Sequence, residues 1–365
     1  MEDLVKMLRE NYNGRRVLIT GHTGFKGSWL ALWLHQLGAN VSGLSLPPEA
    51  DSPLFDSLSL SQKLVHHLGD IRDPALVSSV VAKARPEIVF HLAAQPLVRL
   101  SYSQPVETWN TNVMGTIHVL EAVRKLESPC AVVAITTDKV YENNDAGRAF
   151  AETDPLGGHD PYSSSKAGAE IAIQAWRRSF FGTTNPVALA STRAGNVIGG
   201  GDSAADRIVP DAIRAMSAGE SVWVRNPGST RPWQHVLEPL FGYLLLGAQM
   251  DQALRLNNST RRSILESSWN FGPAIESVRP VNDLIKLVTT RWPGGRWHHS
   301  ADAEAVHEAR LLALDPAKAA RELGWQPRWT FEQAVNTTVD WYHAVHQGAD
   351  TVALSLQQIQ SFTQS

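Results

Sequence analysis

The stretch "RRVLITGHTGFKGSWLALWLHQLG" (Arg15–Gly38) decides the fold. A short apolar run, Val17–Thr20, stops at glycine, as a buried parallel strand does. Leu30, Trp33, Leu34 and Leu37 follow at helical spacing, and Gly38 ends the helix. Between strand and helix stand Gly21, Gly24 and Gly27. At such a junction the first glycine permits a tight turn, the second lets backbone approach a pyrophosphate, and the third lets helix and strand pack closely. The helix start then offers free N–H groups and a positive dipole end to phosphates. This context predicts a dinucleotide site built from Gly21, Thr23, Gly24, Phe25, Lys26 and Gly27.

Outward from this unit, strands and helices alternate. "NVSGLSL", "KLVHHLGD", "EIVFHLAA", "CAVVAITTD" and "PVALASTRAGNVIG" read as strands. Helices are expected between them, one opening at Asp73 and Pro74, one near 109–126 and one near 162–181. The prediction is an α/β fold with a Rossmann-type doubly wound parallel sheet over 1–200. A smaller, substrate-binding lobe is expected over 201–365, with helices near 208–219, 235–250 and 315–323. The segment near 264–273 is expected to rejoin the main sheet. The tail after about Gln347 is weakly patterned. The second strand ends in Ser45–Pro48, with neither an acid for a ribose hydroxyl nor an arginine for a 2′-phosphate, so local residues leave NAD and NADP both open. Asp70, followed by Ile71, ends the third strand where a carboxylate could read an adenine amino group.

Composition bounds the function. The 365 residues carry a net charge of −3, which argues against a nucleic-acid partner met through a strongly basic surface. The single cysteine, Cys130, rules out an internal disulfide and is expected to be core. His22, His66, His67, His298 and His299 lack metal-ligand spacing, so no metal is predicted. No apolar run suits a signal peptide or a membrane span, and the expectation is a soluble, cytoplasmic protein.

In "PYSSSKAGAE" (Pro161–Glu170), Tyr162 and Lys166 share a helix face. A nearby ammonium lowers a phenol's pKa, which predicts a tyrosine able to take a proton near neutral pH. Behind the glycine motif and the βα units, this pair makes the chain resemble the extended short-chain dehydrogenase/reductase superfamily. The resemblance implies a catalytic set of Tyr162, Lys166 and Thr137, the last from "AITTDKVY". It also implies that Leu92, Ala93, Ala94 and Gln95 of "HLAAQ" line the cofactor, and that Asn112, which matches the family's central-helix asparagine, contacts the cofactor with them.

The residues after Thr137 separate the superfamily's branches. Nucleotide-sugar 4,6-dehydratases carry Asp there, usually followed by Glu; this chain has Asp138 and Lys139. "GHTGFKGSWL", "TTDKVYEN", "TRAGNVIGGGD", "RPWQHVLEPL" and "LGWQPRW" resemble the subfamily of these dehydratases that acts on CDP-glucose, over about residues 15–345. The resemblance implies NAD as cofactor, CDP-glucose as substrate and a homodimer or homotetramer built through the helices near 109–126 and 162–181. It further implies that Asp138 protonates a departing C6 hydroxyl while Lys139 or a neighbour serves C5. The residues themselves leave a 4-epimerase, or dehydration of dTDP-glucose or GDP-mannose, open. Two substrate phosphates call for arginine forks, and the candidates are Arg207, Arg231 and Arg310. Asn196 and Asn270 are expected on the phosphates or the base.

Overall fold

A computed structural model describes residues 2–49, 53–143, 148–182, 185–299 and 312–365. Six strands, β1 (Arg16–Thr20), β2 (Asn40–Ser45), β3 (Val65–Leu68), β4 (Ile88–His91), β5 (Cys130–Ile135) and β6 (Val187–Arg193), lie parallel in the order 3-2-1-4-5-6. A seventh, Ser268–Asn270, adds to the β6 edge in parallel, with Ser268 opposite Ser191. The expected return of the chain near 264–273 is therefore found. The strand order reverses between β1 and β4, and Gly21 and Leu92 emerge there at the carboxyl ends. Ligands of doubly wound sheets bind in the crevice at this reversal.

Strands β1, β4, β5 and β6 are buried on both faces because apolar side chains dominate them, whereas the edge strand β3 stays partly exposed. Val17 and Ile19 point to one side, where Trp29, Trp33 and helix Leu237–Arg255 cover them. Leu18 and Val89 point to the other, under helices Pro74–Ala84, Gly115–Val123 and Pro161–Ser179. Cys130 is fully buried in that second layer. Asp73 caps the first of these helices, accepting from the backbone N–H groups of Ala75 and Leu76 with Pro74 in the first turn. Asp160 and Pro161 open the last in the same way.

The helix expected near 109–126 differs. It runs from Pro105 to Val123 but is interrupted by a π-helical turn over Asn110–Met114. Such turns shift the side chains on either side of them.

A separate apolar cluster holds helices Ile208–Ser217, Val281–Arg291 and Phe331–His346 together. Short strand pairs flank it, Val222–Val224 with Trp297–His299 and Thr230–Pro232 with Val278–Pro280. The chain's two ends are more regular than their sequences indicate. Glu2–Tyr12 is a helix whose Tyr12 hydroxyl donates to the Leu244 carbonyl at 2.9 Å. The weakly patterned tail forms a helix, Thr351–Gln364, capped by Asp350. Its Ile359 and Phe362 are buried, and the Phe362 ring meets Trp33 edge-on at 5.9 Å. Tertiary burial, which no local pattern records, sets both helices.

Candidate active site

The glycine loop is built as its spacing predicts. Gly21 has φ +79°, and a side-chain carbon there would stand 2.7 Å from the Ala93 nitrogen. One on Gly27 would stand 2.0 Å from the Gly21 carbonyl oxygen. Gly24 is different: its backbone suits any residue, and no protein atom within the space of a side-chain carbon comes closer than 3.6 Å. Packing therefore demands the outer glycines, whereas the middle one keeps an exposed approach to the backbone clear. No side chain caps the start of helix Phe25–Gln36, so its first N–H groups remain available to an anion. The loop fits a dinucleotide pyrophosphate on these grounds. Thr23 is turned inward, sharing a hydrogen bond with Ser45 at 2.7 Å and donating to the Leu46 carbonyl, and so ties the loop to the tip of β2.

The floor of the crevice follows β4. Ala93 N–H donates to the Thr20 hydroxyl at 3.2 Å. Gln95 N–H donates to Asn112 Oδ1 at 2.8 Å, while Asn112 Nδ2 donates to the Gln95 carbonyl and to Ser165 Oγ. Every polar atom of the Asn112 side chain is thus engaged within the protein. The expectation of a cofactor contact is corrected to a positioning role, in which the π turn lets Asn112 join the β4 exit to the helix bearing Lys166. Ile71 is buried against Gly115. Asp70 stands on the rim, where both carboxyl oxygens accept from Arg72, which holds the carboxyl below its usual range.

Thr137, Asp138, Tyr162 and Lys166 come together at the end of β5. The Thr137 hydroxyl donates to Asp138 Oδ1 at 2.9 Å and lies close enough to the Tyr162 phenol to act on it. Lys166 Nζ donates to the Ile135 carbonyl at 3.4 Å. Burial pushes the Tyr162 phenol up to about 12, opposed by the Thr137 hydrogen bond and the Arg207 charge. The expectation that Lys166 lowers it is corrected: in the protein alone, desolvation dominates. Lys166 itself is pulled down to about 8 by burial and by the charge of Lys26.

Asp138 is almost wholly buried, and burial raises its carboxyl despite the opposing charges of Lys139, Lys26 and Arg231 and the Thr137 hydrogen bond. Its Oδ2 has no hydrogen-bond partner among the described residues. A buried, raised carboxyl with one uncommitted oxygen can give a proton to a substrate oxygen.

Arg207 pairs with Asp202 at 2.8 Å, and Arg231 lies close enough to act on Asp138. Asn196 takes a left-handed backbone, φ +46°, directly after Gly195, which lies against Asp138. Asn270 is not brought to the site. Its Oδ1 accepts from the Tyr141 hydroxyl at 2.7 Å and its Nδ2 donates to the Phe150 carbonyl at 2.8 Å, so the expectation of a phosphate or base contact is corrected to a structural one. Arg310 lies outside the described residues. Sequence reasoning missed Gly195, where a side-chain carbon would stand 1.7 Å from Asp138 Oδ2, and Asp202, whose signal was the glycine run before it.

Known proteins resemble this chain along most of its length. Residues 18–338 match the GDP-mannose 4,6 dehydratase family. A CDP-glucose 4,6-dehydratase of Salmonella typhimurium is 45% identical over 362 residues, covering 98% of each chain. A dTDP-glucose 4,6-dehydratase of Shigella flexneri is 27% identical over 90% of this chain and 93% of its own. Among solved structures, a dTDP-glucose 4,6-dehydratase of Bacillus anthracis in complex with NAD superposes with a TM-score of 0.73 at 23% identity, covering 91% of this chain and 97% of its own. A UDP-glucose 4-epimerase of Thermus thermophilus in complex with NAD gives 0.74 at 23% identity, over 90% and 99%. These structural likenesses speak to the fold.

Proposed function

We propose that this chain, which belongs to the GDP-mannose 4,6 dehydratase family of nucleotide-sugar dehydratases, converts CDP-D-glucose to CDP-4-keto-6-deoxy-D-glucose with NAD as its cofactor. When bound, NAD⁺ supplies a reversible hydride acceptor that takes hydrogen from C4 of the sugar and returns it at C6. The remaining steps fall to the chain. Tyr162, whose phenol the positive charge of bound NAD⁺ would pull down again, takes the C4 hydroxyl proton, with Thr137 holding that oxygen. The 4-ketone acidifies the C5 proton. Asp138 then gives its proton to the departing C6 hydroxyl, and Lys139 assists proton loss at C5. Arg207 and Arg231 hold the two phosphates, with Asn196 as a further donor to the phosphates or the base.

One observation carries the reading: a buried acid with an uncommitted oxygen, Asp138, lies one hydroxyl away from Tyr162 through Thr137. A 4-epimerase expels no group from C6 and has no use for that acid. Support for the nucleotide comes from the 45% identical CDP-glucose 4,6-dehydratase. The test is incubation with CDP-, dTDP- and UDP-glucose and GDP-mannose, scoring keto-sugar by its absorbance in alkali. Keto-sugar from CDP-glucose in preference to the others is expected. A C4 epimer without keto-sugar would overturn the reading.

The enzyme is read as cytoplasmic; no helix among the described residues is long and apolar enough to cross a membrane. A second copy of the chain is its proposed protein partner. Val106, Trp109, Met114 and Ile171 stand exposed on the paired helices where that copy would dock, and sedimentation would report the dimer.

A further inference from the structure

We propose that Tyr141 is a positioning residue of the dehydration: its hydroxyl fixes the far end of the turn that carries Asp138 and Lys139, and so holds the acid in register with Tyr162 and Lys166. The inference rests on the dehydratase reading of the pocket. The tyrosine ring fills an apolar cluster with Val140, Phe150 and Ala167, stacked on the Phe150 ring at 4.8 Å. Phenylalanine would fill that space equally well. The hydroxyl is what packing leaves unexplained.

The turn Asp138–Val140 is three residues long and is held at both ends. At the near end Thr136 N–H donates to the Thr192 carbonyl at 2.8 Å, and the Thr136 hydroxyl donates to Glu170 at 2.6 Å, which secures the exit of β5. At the far end the backbone reaches a neighbouring loop. The Val140 carbonyl accepts from Gly157 N–H at 2.8 Å, and Glu142 N–H donates to the Pro155 carbonyl at 3.0 Å. The Tyr141 hydroxyl reaches the sheet itself. It donates to Asn270 Oδ1 on the seventh strand and accepts from Arg193 Nη1 at the end of β6, both at 2.7 Å. Arg193 in turn pairs with Glu170, one helical turn beyond Lys166. A continuous set of buried contacts thus runs from the turn bearing the acid, through Tyr141 and Arg193, to the helix bearing Tyr162 and Lys166.

The two ends of the turn serve different halves of the reaction. Thr137 and Tyr162 act on the C4 oxygen, and they keep their anchors at β5 and the helix when the Tyr141 hydroxyl is removed. Asp138 and Lys139 act at C6 and C5, and they lie between the anchored end and the released one. Tyr141→Phe keeps the ring and its stacking but removes the hydroxyl's two hydrogen bonds. Elimination is expected to slow by about 10- to 100-fold through misplacement of the acid, while oxidation at C4 and the KM for CDP-glucose stay near wild type.

The experiment follows the two halves separately in the full chain, with saturating NAD⁺ and CDP-glucose. Rapid-mixing absorbance is expected to show a larger fraction of reduced cofactor in Tyr141→Phe than in wild type. Should the phenylalanine variant misfold, Asn270→Ala, which takes away the hydroxyl's acceptor, serves in its place with the same expected direction. Ser191→Ala, which deletes a donor to Glu170 away from the turn, is expected to lower the melting temperature and leave the fraction unchanged. Hydrogen–deuterium exchange supplies a readout free of turnover: the peptide spanning the turn is expected to exchange faster in Tyr141→Phe and at the wild-type rate in Ser191→Ala. A fraction of reduced cofactor unmoved in Tyr141→Phe, or raised equally in Ser191→Ala, overturns the proposal, as does exchange at the turn equal to wild type. Were the wild type inert on every nucleotide sugar, the dehydratase reading would fall while the exchange measurement still decided whether Tyr141 holds the turn.

Discussion

The Asp138 carboxyl rests against the backbone of Gly195, whose side-chain carbon, were there one, would stand 1.7 Å from Oδ2. The acid of the site is therefore positioned by an absent side chain. Gly195→Ala forces Asp138 to move, and displacement of a reacting group by about 1 Å costs on the order of a hundredfold. The expected outcome is a kcat lowered by about that factor with the thermal melt little changed. Equal losses in activity and melting temperature would point to a packing role alone.

Asp138→Asn separates the two halves of the reaction. Oxidation at C4 depends on Tyr162 and Thr137 and should survive. Elimination loses its proton donor and should slow by about 10²- to 10⁴-fold. Rapid-mixing absorbance should then show reduced cofactor accumulating. Keto-deoxy sugar formed at the wild-type rate would remove Asp138 from its assigned role.

Glu238 makes stability depend on pH. Its Oε1 accepts from the backbone N–H groups of Arg328 and Trp329, its Oε2 has no hydrogen-bond partner among the described residues, and burial raises the carboxyl from 4.5 to about 7. The folded chain thus holds a proton that the unfolded chain has released between these values. Its contribution is fully present below 4.5 and is lost as pH rises through about 7. Glu238→Gln removes the titration. The melting temperature of the variant relative to wild type should rise between about pH 5 and pH 8; a constant difference would contradict this.

Under the site, Glu170 and Arg193 form a fully buried ion pair at 2.9 Å, and Thr136 and Ser191 also donate to Glu170. Burial alone would raise the Glu170 carboxyl, but Arg193 and these hydroxyls outweigh it and hold it low. Removing one partner strands the other charge. Glu170→Ala should cost about 3–5 kcal/mol in urea unfolding, and the double replacement of both by apolar residues should cost less.

Much of this was legible in the sequence because it is local. Gly21 and Gly27 answer to a turn and a close helix–strand approach within seven residues of chain. Tyr162 and Lys166 answer to one helical turn, and Asp73 with Pro74 to a helix start. What escaped is set across the fold. The π turn that aims Asn112 at Gln95 and Ser165 has no local signature, and the reason for Gly195 is a carboxyl 57 residues earlier in the chain. Asn270 sat in a suggestive motif, yet its partners Tyr141 and Phe150 come from the loop after β5 and consume its side chain. The Tyr162 phenol follows the same logic: spacing identified its neighbour, but burial decides its proton affinity in the protein alone.

The central claim is that hydrogen leaves C4 of the sugar and returns to C6 of the same product. CDP-glucose carrying deuterium at C4 is turned over in ordinary water, and the product is read by NMR and mass spectrometry. The account predicts deuterium at C6 and a solvent proton at C5. Product lacking deuterium at C6 would contradict it.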